Sequence, residues 1–280
     1  TLGMAASMAG ILLQTGHHRV MSPECQVESA TALLPDLSSV KHGDLEPGMT
    51  LLGFDENTVA GPYRRYRPAA VELVGRAIRP CYEVKLADGS SHVVTAGHGW
   101  LSATSGWITT ERMNKMLWRG PTRVRRLLPD VPQEHSWESG WMAGLLDGEG
   151  CLTGCPNRQG MQLAIVQNTG TVLEHALRWL ENRGFTVYDQ LTEAGRYNPN
   201  AQERHRLVIL GGVREVARLL MLTRPKRLLP KFMEVLDGGR VNGEDVDVVS
   251  AEPVGDEEVV TLKTSTGTYV GAGIAQHNSW

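Results

Sequence analysis

Cysteine is scarce in this 280-residue chain, which has four, at positions 25, 81, 151 and 155. Cys151 and Cys155 are separated by three residues and have no second cluster to pair with, which excludes the ligand spacing of a zinc module. Thiols in a reducing, cytoplasmic compartment are expected. Long apolar runs are missing too. The nearest, Met4 to Leu13, falls short of the roughly 20 residues that span a bilayer. It has neither a basic leader before it nor a cleavage-like site after it. An excess of charge of one sign is nearly absent: 28 basic residues against 31 acidic ones leave a net charge of −3, which names no partner. No tandem repeat is found. With 41% hydrophobic residues and 31 glycines, the chain reads as an ordinary globular protein of one large or two modest domains.

The pattern changes several times along the chain. Residues 1–24 have a composition of their own, with an Ala/Met/Leu helical stretch from Met4 to Gln14 and a short strand candidate at Arg19-Val20-Met21. From Ala30 to Leu101 short strands are predicted, such as Met49–Gly53, Cys81–Leu86 and His92–Thr95, punctuated by Pro47-Gly48 and Asp88-Gly89. Arg112–Arg126 is basic, and a boundary is placed near Pro132. Helices over 137–146, Thr171–Gly184 and Val213–Leu222 then alternate with strands at about 150–167 and 185–210, an α+β order. Beyond Gly239, strands return at Asp245–Ala251, Glu258–Thr264 and Thr268–Val270. An α+β segment interrupts a β domain.

The chain's end carries an ordered chemical set: His277, Asn278 and Ser279. Asn278 can cleave the bond after itself by attacking its own backbone carbonyl, His277 can move the proton, and Ser279 is a hydroxyl nucleophile. Just upstream lie Val259–Thr264 and Gly267–Ile274. A second block, Val93–Leu101, contains Thr95 and His98 and is followed by Gly106-Trp107. Cleaving an amide by a thiol needs a protonated leaving nitrogen and a polarised peptide, which His98 and Thr95 could supply. Cys25 precedes Ala30–Asp36 and the turn Gly43–Asp55.

Together these blocks resemble an intein, a Hint-type protein-splicing domain. The resemblance implies an N–S acyl shift at Cys25 on the Glu24 carbonyl, transesterification to Ser279, cyclisation of Asn278 and a closing oxygen-to-nitrogen shift, with no cofactor. Residues 25–132 and 241–278 would form the all-β splicing domain. Residues 1–24 and 279–280 would be remnants of the flanking host protein, whose N-terminal piece resembles the helix and strand after the phosphate-binding loop of P-loop ATPases. Three positions depart from the pattern: Met49, Thr261 and Gly267 replace residues that are often Asp, Asp and His. Trp100, two after His98, also fits a minority class without an N-terminal nucleophile; that class uses a late internal Cys where this chain has Thr261. A cleavage-only domain is a further alternative.

Trp141–Gly150, with Ala143-Gly144-Leu145-Leu146-Asp147-Gly148-Glu149-Gly150, resembles the motif of LAGLIDADG homing endonucleases. That resemblance makes residues 133–240 an inserted α+β domain. It implies Glu149 as catalytic acid and Mg²⁺ ligand, with Asp147 as a second metal candidate, on helices that pack closely through Ala143 and Gly144. With one motif, cleavage of double-stranded DNA would need a homodimer. From Arg196 to Arg240 ten basic residues face four acidic ones, an excess suited to phosphate. Gln167, Arg204, Arg206, Arg224, Lys226, Arg227 and Lys231 are the DNA-contact candidates. The alternative for this segment is a decayed insert that binds DNA without cutting.

Overall fold

In a computed structural model of the chain, residues 25–58, 63–103, 106–155, 158–194 and 202–278 are described. The predicted helix and strand within residues 1–24, together with Arg196, Ser279 and Trp280, lie outside them. The strands are β1 Cys25–Val27, β2 Thr31–Leu33, β3 Ser39–Lys41, β4 Thr50–Phe54, β5 Tyr66–Leu86, β6 Ser91–Thr95, β7 Gly99–Ser102, β8 Gly106–Thr109 and β9 Arg123–Arg126, with helix α1 at Thr110–Leu117. Helix α2 (Trp137–Glu149), β10 (Gly150–Cys155), β11 (Arg158–Asn168), α3 (Thr171–Asn182), β12 (Val187–Thr192), β13 (Arg204–Ile209), α4 (Gly212–Thr223) and α5 (Leu228–Leu236) follow. The chain then returns to β14 (Glu244–Thr264), β15 (Thr268–Gly271) and β16 (Ile274–His277).

These strands form two sheets. The 12-stranded one draws β1–β9 from before the helical segment and β14–β16 from after it. Its spine is the antiparallel pairing of β5 with β14, two strands of 21 residues each. Val71, Val84, Leu86, Val246, Val248, Val259 and Leu262 are buried along them, as β-branched and aliphatic side chains on a pleated surface should be. Strand β1 lies between β14 and β6, and β6 in turn pairs with β5, so β14, β1, β6 and β5 close a ring. Cys25, Cys81 and Val259 pack together there.

The four-stranded sheet, in the order β10-β11-β13-β12, belongs wholly to the interrupting segment. Leu152, Leu163, Ile165, Leu207 and Ile209 share one core with Met142 and Leu146 of α2, Leu173 and Leu180 of α3, Leu220 of α4 and Phe232 of α5. Helix α2 opens on a Ser136 cap, whose hydroxyl accepts from Ser139 N at 3.0 Å. The same core includes Leu33, Leu37, Phe54, Leu127 and Leu128 of the β part, so the two parts share buried surface. Arg224 ties them further, its guanidinium on Asp36 at 2.9 Å.

Two expected features differ. Asp245–Ala251 and Glu258–Thr264 are one strand rather than two, because Pro253 and Gly255 are absorbed as a register shift in β14, with Gly255 at φ 97°. The basic Arg112–Arg126 stretch overlaps α1, which starts at Thr110 and is capped by Thr109, whose hydroxyl accepts from Arg112 N. Among the described residues no helix is long and apolar enough to cross a membrane.

Gly53 tests the tight packing of β4 against the turn before β15. A Cβ there would lie 2.6 Å from Ala69 Cβ and 2.9 Å from Thr268 O, whereas one at Gly75 would be 3.7 Å from its nearest neighbour. Gly53→Ala is expected to destabilise the fold by about 1–3 kcal/mol in urea unfolding, and Gly75→Ala to cost far less; equal effects would contradict this packing.

Candidate active site

Strand β14 carries both ends of the 25–278 segment. Cys25 lies opposite Thr261 in the β1–β14 register, and its Sγ is 3.1 Å from Thr261 Oγ1. Asn278 is buried at the other end. Its backbone N donates to Gly267 O at 3.1 Å. The carboxamide orientation that satisfies both its ends has Nδ2 donating to Gly267 O and Oδ1 beside Thr264 Oγ1, each at 2.8 Å. Thr261 and Thr264 are three residues apart on one strand, roughly 10 Å of extended chain. Thr261 and Gly267, two of the three positions at which the sequence departs from the motifs it resembles, therefore sit directly at these ends.

Thr95 ends β6 beside β1. Its Oγ1 accepts from the Cys25 backbone N–H at 3.0 Å, so it holds the nitrogen that a break before Cys25 would release. His98 sits in the turn after Thr95, its own N–H donating to Thr95 O at 3.1 Å. The ring is completely buried. Trp100 stands edge-on to His98 at 5.1 Å and to His92 at 5.5 Å, and its indole N–H donates to Thr110 Oγ1 at 2.9 Å. Burial, then the neighbouring His42, His92 and His277, push the His98 pKa down to about 3. The ring is thus neutral at neutral pH, and its Nδ1 has no hydrogen-bond partner. His277 is partly exposed, with Nε2 3.1 Å from Glu56 Oε1 and its ring 4.9 Å from that of Trp107. The arrangement brings together a thiol, a held amide nitrogen, a neutral imidazole and a carboxamide that can cyclise.

Residues that sequence reasoning did not single out complete the site. Gln26, next to Cys25, is buried and sits against His98, Tyr269 and Gln276. Its position in β1, one residue from the thiol, was the available signal. His42 was hidden in the turn before β4, because only the fold carries it to Tyr269.

The second group of candidates divides. Arg204 and Arg206 pair across from Asn168 and Val166, on the sheet face opposite the helix-packed Leu207 and Ile209. Arg206 Nη2 donates to Gln162 Oε1 at 2.8 Å on that face, where Tyr188 is exposed. Gln167 pairs with His205 and so points to the other face. Arg224 is engaged by Asp36, as described. Arg227 donates to the Asp147 and Gly150 carbonyls, each at 2.6 Å, and caps the end of α2. Lys226 and Lys231 are exposed.

Glu149 is exposed at the end of α2, but Asp147 accepts the backbone N–H groups of Lys226 and Arg227, both at 2.8 Å. Among the described residues no three His, Cys, Asp or Glu side chains gather to hold a metal.

No family model and no curated protein matches the chain. Among solved structures it is similar to the Ssp DnaB mini-intein variant M86, with 13% identity, TM-score 0.45 and 94% of this chain and 98% of that one covered. It is similar also to a DnaB intein from Synechocystis sp. PCC 6803, with 12% identity, TM-score 0.43 and coverage of 92% and 99%. A third is the gp41-1 intein, with 9% identity, TM-score 0.38 and coverage of 92% and 100%. All three TM-scores are below 0.5.

Buried histidines make the fold acid-sensitive. His42 and His92 are lowered to about 4, chiefly by burial, and His98 to about 3. Each binds its proton less tightly folded than unfolded, where the value is about 6.5. The unfolded state therefore takes up more protons as pH falls below that value, and the stability present above it is lost on the way to about 4. The urea midpoint should be lower at pH 5 than at pH 7.5; an unchanged midpoint would contradict this.

Proposed function

We propose that residues 25–278 are an intein, which excises itself and joins the segments on either side. The observation that carries this reading is the convergence on β14: Cys25 opposite Thr261, and Asn278 on Thr264. A chain whose two ends, one with a thiol and one with a cyclising amide, meet on one strand has its two junctions held near each other, which lowers the entropic cost of passing an acyl group from one junction to the other.

Each step uses groups at this site. The Cys25 sulfur attacks the Glu24 carbonyl; the carbon–nitrogen bond breaks, a thioester forms, and the thiol proton passes to the Cys25 nitrogen. Thr95 orients that nitrogen, and His98 supplies proton transfer as it leaves. Thr261 Oγ1, against Sγ, can donate to the sulfur as it becomes a thiolate. The Ser279 hydroxyl then takes the acyl group and returns the thiol. Asn278 Nδ2 attacks its own carbonyl, breaking the bond to Ser279 and closing a succinimide. The freed Ser279 amine accepts the acyl group from its own oxygen, leaving Glu24 joined to Ser279 by an amide. No cofactor enters, and the partners are the host segments on each side. The N-terminal position of Cys25, with its amide held by Thr95, favours this scheme over the one that lacks a nucleophile there.

Intact mass of the chain with longer natural flanks tests it. The expected products are a free 25–278 piece and ligated flanks, with Cys25→Ala and Asn278→Ala each abolishing ligation. Ligation that survives Cys25→Ala would overturn the scheme.

A second reading concerns residues 133–240, and the open face of their sheet supports it. We infer that this face binds double-stranded DNA, with Arg204 and Arg206 on phosphates and Gln162 and Tyr188 beside them. On α2, an added Cβ at Gly140, Gly144 or Gly148 would meet nothing within 4 Å, an open glycine face that suits close packing of a second copy. Cleavage would need that copy, since the chain carries one such motif. Arg204→Ala with Arg206→Ala should weaken duplex binding about tenfold and lower the salt slope by about 2, while Arg224→Ala should leave both unchanged. Fluorescence anisotropy across a salt series measures this, and unaltered binding by the double variant would contradict it.

A further inference from the structure

Between the two ends of the site runs a buried hydrogen-bonded chain that none of the steps above uses. His42 Nδ1 is 2.9 Å from Ala30 O, which fixes the ring proton on Nδ1 and leaves Nε2 an acceptor. Tyr269 OH lies 3.2 Å from that Nε2 and so donates to it. The Tyr269 oxygen in turn accepts from Gln26 Nε2 at 3.1 Å. Gln276 enters from the other side. Its Nε2 donates to Gly271 O at 3.3 Å, so its Oε1 is the end that meets Gln26.

Tyr269 and Gln276 together set the amino end of Gln26 at this point. His98 Nε2 is 3.5 Å from the same amino group. A carbonyl there would favour a proton on His98 Nε2; an amino group favours its absence. Gln26, His42 and His98 are all buried, so no water competes to reset the orientation.

We propose that His42, acting through Tyr269 and Gln26, is a positioning residue that holds His98 in the tautomer with its proton on Nδ1. Nδ1 is the His98 atom without a partner, so this tautomer leaves its N–H available for the acyl-shift step. The proposal rests on the splicing reading and deepens it. His42 belongs to the turn before β4 and Tyr269 to β15, which pairs with β16 just before Asn278, so proton placement at the N-terminal junction depends in part on a strand next to the C-terminal one.

The test has two parts. In the Cys25→Ala, Asn278→Ala chain, which cannot react, imidazole ¹⁵N shifts report the His98 tautomer directly. The expected result is a single Nδ1–H form, with a measurable Nε2–H fraction in Tyr269→Phe and His42→Leu and recovery in His42→Gln, which keeps an acceptor facing Tyr269. In the otherwise unaltered chain, thiol-induced release of residues 1–24 should slow about tenfold in Tyr269→Phe, the worth of one buried hydrogen bond. A His98 tautomer indifferent to Tyr269→Phe and His42→Leu would overturn the proposal. So would an unchanged release rate in a chain that otherwise splices. If the unaltered chain releases nothing while the tautomer shifts as expected, the splicing reading fails and the positioning relation stands.

Discussion

Everything at the candidate site depends on the antiparallel pairing of β5 with β14. One of these strands comes before the helical segment and the other after it, and their ladder is long enough to hold the chain's two distant parts in one sheet. Once β14 is fixed, β1 has an edge to join, and β1 carries Cys25 to Thr261. The same strand ends at Thr264, where Asn278 docks. A residue at the start of the segment and another at its end thus become neighbours through backbone hydrogen bonds, whose register leaves little freedom.

Burial gives this placement its chemical sense. The groups at the N-terminal end of the site, Cys25, Gln26, Thr95 and His98, are almost wholly withdrawn from water. In such surroundings each hydrogen bond is stronger and each unsatisfied group more costly, so the orientation of one amide or ring constrains the next. The cost appears in the histidines, which are held neutral by burial and oppose folding under acid.

Much of the site was legible in the sequence because its residues are grouped in short ordered blocks: Thr95 with His98, and His277 with Asn278. Their meeting was not, since it depends on a register that spans more than 230 residues between Cys25 and Thr261. The long strands were partly hidden. Pro253 and Gly255 have the look of a turn, and only pairing with β5 shows them to be a bulge within one strand. In the helical segment, periodicity located α2, α3 and α4, but α5 passed unnoticed beneath its Arg-Pro-Lys-Arg approach. Basic composition there does not give side-chain direction: Arg224 and Arg227 make hydrogen bonds within the fold, and the parity of β11 separates Gln167 from Arg204 and Arg206. His42 and Tyr269 carried no local signal, because a histidine in a turn and a tyrosine in a strand are ordinary until the fold joins them.

The central claim, that the Cys25 thiol attacks the carbonyl before it, is tested most directly by treating the Asn278→Ala chain with hydroxylamine and weighing the products. The account predicts release of residues 1–24 as a hydroxamate, dependent on Cys25 and slowed by His98→Ala. An intact chain under the same treatment, or release that persists in Cys25→Ala, would contradict it.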